Sequence, residues 1–237
     1  METIHNDSIF ETRYGKLVFQ GYNIFRQVVD GFDNDVGWGC TIRSFQMMYN
    51  RFRLKSADFI VPCIETVLEK SKEFGGIPGE WYSQSIVCKT MASIVDDISF
   101  GSVPVNFPCL AVVVTRLDVG RQLTDRSKDI LQRFFASSHQ IGLVGGKQNS
   151  CYYLVAYNGH RMHYVDPHKM LKNDCLQQME VEALDPCVTF GWMCKDQLEL
   201  NAVKEEFRDL FDSSCLNELQ SSDFQVLEED DLCIIDM

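Results

Sequence analysis

Near residue 100 the spacing of apolar residues in this chain changes period, and that change limits the folds open to it. Before it, Ile42, Phe45, Tyr49 and Phe52 follow one another at i, i+3, i+7 and i+10, with Arg43, Gln46, Asn50 and Arg53 elsewhere on the cylinder. That spacing predicts an amphipathic helix beginning at Cys40. Helices are also expected over 57–73 and 84–97, with the Gly- and Pro-rich break GGIPGE at 75–80 between them. After it, CLAVVVTRL at 109–117 is a continuous run rich in β-branched residues, suited to a buried central strand. IGLVGG at 141–146 and CVTFGWMC at 187–194 read as further strands, and CYYLVAY and HRMHYVD flank Asn158-Gly159, a strong hairpin signal. Helices are expected over 124–138 and 196–211, and short strands such as KLVFQGY and NIFRQVV within 1–36. Helices first and an antiparallel sheet after them give the α+β class.

Charge narrows the partners. Lys and Arg number 22 against 34 Asp and Glu, a formal charge of −12, which disfavours a nucleic-acid-binding surface and leaves room for a basic protein partner. The first residues, METIHNDSIFETR, have neither the basic nor the apolar region of a secretory signal, and no stretch is apolar for a membrane span's length. The expectation is a cytoplasmic protein with reduced thiols, and nothing in the sequence demands a dimer. The 10 cysteines are scattered, none forms CxxC, and none sits near a histidine at zinc-ligand spacing, so neither metal nor other cofactor is expected.

One cysteine differs from the rest. Cys40 ends Asp35-Val36-Gly37-Trp38-Gly39-Cys40, where two glycines permit a sharp turn and close approach to a substrate. It also opens a helix, whose unpaired N–H groups and dipole favour a thiolate and a developing oxyanion. Such a nucleophile needs a base. Of the five histidines, His168 stands out in Asp166-Pro167-His168, because residues i and i+2 of an extended segment face the same way and a carboxylate there would orient the imidazole.

Four islands together carry a family resemblance: DVGWGCTIRSFQM around Cys40, GEWY at 79–82, IGLVGGKQNSCYYLVAYNGHRMHYVDPH at 141–168, and ALDPCVTFGWMCKDQLEL at 183–200. The chain resembles the autophagins, papain-like cysteine peptidases of autophagy. The resemblance implies a papain-like fold whose helical part carries the nucleophile and packs on an antiparallel sheet carrying Asp and His. It implies Cys40 as nucleophile, His168 as general base and Asp166 as its orienting partner, with Trp38 before the nucleophile as in the family. It also implies the activity: cleavage of a ubiquitin-like autophagy modifier after its C-terminal glycine, and release of that modifier from phosphatidylethanolamine. Access to membranes would then come through the conjugate.

Two positions depart from the family. Where it has a Tyr-Arg pair whose hydroxyl serves the oxyanion hole, this chain has Ile24-Phe25-Arg26; Gln20, Tyr22 and Gln27 are the candidates to replace a donor worth about 10²-fold in rate. Where the family has a Trp over the substrate glycine, the matching residue is Phe100, either an aromatic lid or a core aromatic. Residues 1–212 read as the peptidase domain, with room for a small lobe. Residues 213–237 carry seven acidic residues and no basic one, and read as a flexible tail. Within it Phe224-Gln225-Val226-Leu227 matches aromatic-x-x-aliphatic, as in the family, and Phe224 and Leu227 would dock the modifier by strand addition. Two other readings stay open: a homologue that binds the modifier without cleaving it, which the Phe25 substitution motivates, and a related peptidase acting on ubiquitin.

Overall fold

The computed structural model describes residues 27–53, 61–101, 106–120, 122–147, 149–168 and 176–212. Three helices come first: α1 (Cys40–Arg53), α2 (Ile64–Ser71), continued by a 3₁₀ turn to Phe74, and α3 (Gln84–Ile94). Two strands follow, β1 (Ile98–Phe100) and β2 (Cys109–Arg116), and then helix α4 (Asp125–Ala136). The strands β3 (Gln140–Lys147), β4 (Ser150–Tyr157), β5 (Arg161–Val165), β6 (Gln177–Glu180) and β7 (Cys187–Cys194) lead to the closing helices α5 (Gln197–Glu206) and α6 (Arg208–Asp212). Among the described residues no helix is long and apolar enough to cross a membrane.

The seven strands form one sheet in the order β1-β2-β7-β3-β4-β5-β6. Every neighbouring pair is antiparallel except β1 and β2, so the expected antiparallel sheet is mixed at one edge. Both faces are covered, which explains the unbroken apolar runs of β2 and β4. Along β4, Cys151, Tyr153 and Val155 face the core shared with α1, α2 and α3. Tyr152 and Leu154 face the opposite core, shared with α4, α5 and α6. Phe134 of α4 anchors that second core, meeting Phe135, Phe190, Trp192 and Phe207 edge-on.

Helix α1 packs on β3 and β4 and is buried almost all round, including Arg43, Gln46 and Asn50. Arg43, Gln46 and Asn50 are therefore shielded from solvent, contrary to the amphipathic expectation, while Arg53 is only partly buried. Inside, Arg43 sits on Asp35, and the Gln46 amide donates to the Pro62 carbonyl at 2.8 Å.

Three boundaries moved. Helix α2 starts at Ile64, just after Pro62-Cys63, a proline that keeps its predecessor extended. Helix α3 stops at Ile94 because Val95 is already extended, and β1 begins three residues on. The last helix breaks at Phe207, whose ring is wholly buried there. The Asn158-Gly159 hairpin formed as expected, with Gly159 at φ +93° and the Asn158 side chain accepting from the amides of His160 and Arg161. KLVFQGY and all of NIFRQVV but its last three residues lie outside the described residues, as does the tail from 213.

Candidate active site

The turn before α1 delivers Cys40. Gly37 sits at φ +93°, a left-handed conformation that strains any other residue. The amides of Trp38 and Gly39 both donate to the Asp35 carbonyl, at 3.3 and 2.9 Å, which closes the turn. The Arg43 amide then donates to the Gly39 carbonyl at 3.0 Å, so Gly39 caps the helix and Cys40 is its first residue. The N–H groups of that first turn have no acceptor four residues back, so the helix presents donors and a positive dipole end at the sulfur. The Trp38 ring is packed edge-on against Phe32 and stacked on Tyr82 of the GEWY island, which pins the turn from its other side.

The sheet delivers the base. Val165 at the end of β5 pairs with Tyr153, so the chain leaves β5 beside Cys151 and Tyr152 at the start of β4, the strand on which α1 lies. Asp166 is already outside the strand, and its carboxylate accepts from the His168 amide at 2.9 Å. This is an Asx turn. The same oxygen lies 2.7 Å from His168 Nδ1. The two residues are brought together by this turn, and not by the strand alternation expected from sequence. Tyr152, stacked on Tyr164 with ring centroids 4.4 Å apart, meets the imidazole edge-on at 6.0 Å.

The His168 imidazole also lies within hydrogen-bonding reach of the Cys40 sulfur. With Nδ1 committed to Asp166, Nε2 is the nitrogen left to exchange a proton with sulfur. The hydrogen bond to Asp166, then that to Cys40, hold the imidazole pKa up at about 9, against the opposing effect of partial burial. The Asp166 side chain is 7% exposed and Cys40 as a residue 1%, while the His168 side chain is 32% exposed. The sulfur thus lies beneath the surface and the imidazole at its edge. Cys151, on β4 behind α1, is a second thiol near Cys40, and burial pushes its pKa well above the usual thiol range.

The other expected residues divide. Trp38 is at the site. Phe100 is buried in the core on β1. Gln27 is exposed on an open cleft of about 610 Å³ lined also by Val28, Cys63, Glu69 and Lys70, which neither Cys40 nor His168 borders. Gln20, Tyr22, Phe25, Phe224 and Leu227 lie outside the described residues. Sequence reasoning passed over Tyr152 and the Asp35–Arg43 pair. The signal for the pair was present, an acid and a base flanking GWGC, while for Tyr152 there was none beyond its place in the third island.

The Peptidase C54 catalytic domain matches residues 102–206, a span that holds Asp166 and His168 but not Cys40. Similar proteins include the "Probable cysteine protease atg4" of Schizosaccharomyces pombe, 23% identical over 80% of this chain and 76% of that one. The "Cysteine protease ATG4" of Kluyveromyces marxianus is 22% identical over 76% of this chain and 54% of its own length. The human "Cysteine protease ATG4A" is 29% identical over 40% of this chain and 28% of its own. The alignment thus spans about three quarters of the fission-yeast relative but only about half or less of the other two.

Proposed function

We propose that the chain is a cysteine peptidase of the autophagin family and that it hydrolyses the bond after the C-terminal glycine of a ubiquitin-like autophagy modifier. The observation that carries the reading is the meeting of Cys40 with Asp166 and His168, 126 and 128 residues further along the chain (166 − 40 and 168 − 40). Cys40 gives its proton to His168 and attacks the glycine carbonyl as thiolate. Charge then develops on the carbonyl oxygen at the N-terminus of α1, where the Cys40 amide is the candidate donor. The imidazolium returns its proton to the leaving amine, and a thioester remains on sulfur. Water deprotonated by His168 hydrolyses it. Asp166 keeps the ring in the required tautomer and supports its positive charge.

The same steps cleave the amide joining glycine to phosphatidylethanolamine, since that bond also has a glycine acyl side and an amine leaving group. Membrane access would come through the conjugate. Residues 213–237 would act as a docking tail, with Phe224 and Leu227 entering pockets on the modifier and the surrounding acids meeting a basic rim.

The test is incubation of the full chain with a modifier precursor extended past its glycine, read by intact mass. The expected product has lost the extension, and the Cys40→Ala chain gives none. Cleavage of a ubiquitin fusion with the modifier precursor left intact would overturn the substrate assignment.

A further inference from the structure

Asp35 and Arg43 form an ion pair that the reaction above does not use. The Arg43 Nε and one terminal nitrogen donate to the two oxygens of the Asp35 carboxylate at 2.7 and 2.9 Å. The two side chains are 0% and 4% exposed, so neither reaches solvent or substrate. A carboxylate and a guanidinium buried to this degree are held by each other's geometry, because either alone would be a bare charge in the interior.

We propose that this pair is a positioning device for the Cys40 thiol, fixing the turn that delivers the sulfur; the inference rests on Cys40 being the nucleophile. Three contacts argue for it. The Asp35 carbonyl receives the amides of Trp38 and Gly39, so the residue whose side chain Arg43 clamps is the one that closes the turn. A Cβ on Gly39 would lie 2.3 Å from the Asp35 carboxylate, so that carboxylate rests directly on the residue before Cys40. Arg43 is three residues beyond Cys40 on α1, hence on the same side of the helix one turn down. The fork thus ties the first turn of the helix to the turn preceding it, with Cys40 between the two tied points. Both are positioning residues.

Removing either partner leaves the other without its fork in the interior and releases the turn that carries Cys40. Among the described residues, the other titratable groups facing Cys40 are His168, backed by Asp166, and Cys151 and Tyr152 from β4; the variants leave all four unchanged.

The experiment follows alkylation of Cys40 by iodoacetamide at fixed pH, resolved by peptide mass, together with steady-state rates on the precursor, in the full chain. Asp35→Asn and Arg43→Gln are each expected to slow alkylation and to lower kcat about tenfold at unchanged KM. Arg43→Lys keeps the charge and loses the fork, and is expected to behave like them rather than like the parent. Alkylation and kcat within about twofold of the parent in folded variants, or a parent-like Arg43→Lys beside an impaired Arg43→Gln, overturn the proposal. Native-state hydrogen exchange of the unaltered chain decides the matter should a variant fail to fold. The amides of Trp38, Gly39 and Arg43 are expected to be as protected as those of β7, and free exchange there would overturn the clamp. A parent Cys40 that reacts no faster than Cys63 would instead remove the nucleophile, and the proposal with it.

Discussion

Replacing Asp166 by Asn leaves the Asx turn a side-chain oxygen but takes the negative charge from His168 Nδ1. The imidazole is held at about 9 against an ordinary 6.5, with the hydrogen bond to Asp166 as the largest cause and that to Cys40 next. A difference of this size amounts to about 3 kcal/mol of preference for the charged ring. Roughly a third of the His168 side chain meets solvent, and screening together with the share owed to Cys40 brings the part due to Asp166 to about 1–2 kcal/mol. The alkaline limb of kcat/KM, where the imidazolium that protonates the leaving amine is lost, should therefore fall by about one pH unit in Asp166→Asn. Loss of the tautomer lock lowers kcat further, by about 10²- to 10⁴-fold. Stability shows the same group with a definite sign. A histidine whose folded pKa is raised binds more protons folded than unfolded between about 6.5 and about 9, so its contribution is complete below about 6.5 and lost as pH rises through about 9. Urea midpoints of the parent chain should drop across that window, and those of Asp166→Asn should drop less. A variant with its alkaline limb unmoved and kcat within about twofold of the parent would refute the assignment of Asp166 as the residue that charges and orients His168.

Cys40→Ala should abolish cleavage of the extended precursor while changing the melting temperature little, since one small buried side chain replaces another; residual turnover by intact mass would place the nucleophile elsewhere. Tyr152→Phe keeps the ring that meets His168 edge-on and should keep kcat, whereas Tyr152→Ala should lower it, as steady-state rates on folded protein can check. Phe134→Ala, on the far face of the sheet from α1, should cost about 3–5 kcal/mol in urea unfolding but leave the pH profile of the remaining folded enzyme unchanged. Gly146→Ala puts a Cβ 2.0 Å from the backbone oxygen of Ser150, so it should loosen the β3–β4 pairing under Cys40, cost about 1–3 kcal/mol and speed amide exchange in both strands.

Which parts of this molecule could be read from its sequence follows from what each part depends on. The helix at Cys40, the central strand at 109–116 and the Asn158-Gly159 hairpin rest on local pattern, and local pattern is what a sequence displays. Strand β6 could not be seen that way: Gln177-Gln178-Met179-Glu180 is polar, buries only Met179, and is a strand because β5 offers it an edge. Strand β1 is three residues long and owes its existence to parallel pairing with β2. The polar side of α1 misled for the opposite reason. Arg43, Gln46 and Asn50 look like a solvated face because polarity is visible in sequence and a buried partner is not. The site divides along the same line. Asp166 and His168 were paired correctly from their separation, yet through the wrong geometry, since an Asx turn and an extended strand can both bring residues i and i+2 together. Cys40 and His168 come within hydrogen-bonding reach across 128 residues (168 − 40), a pairing that a thiolate's need of a base suggests and the family's motifs sharpen. Phe100 depends on its surroundings in the same way: it ends strand β1, opposite Val112, and its ring is buried in the core shared with the first three helices, which its sequence neighbours alone do not display.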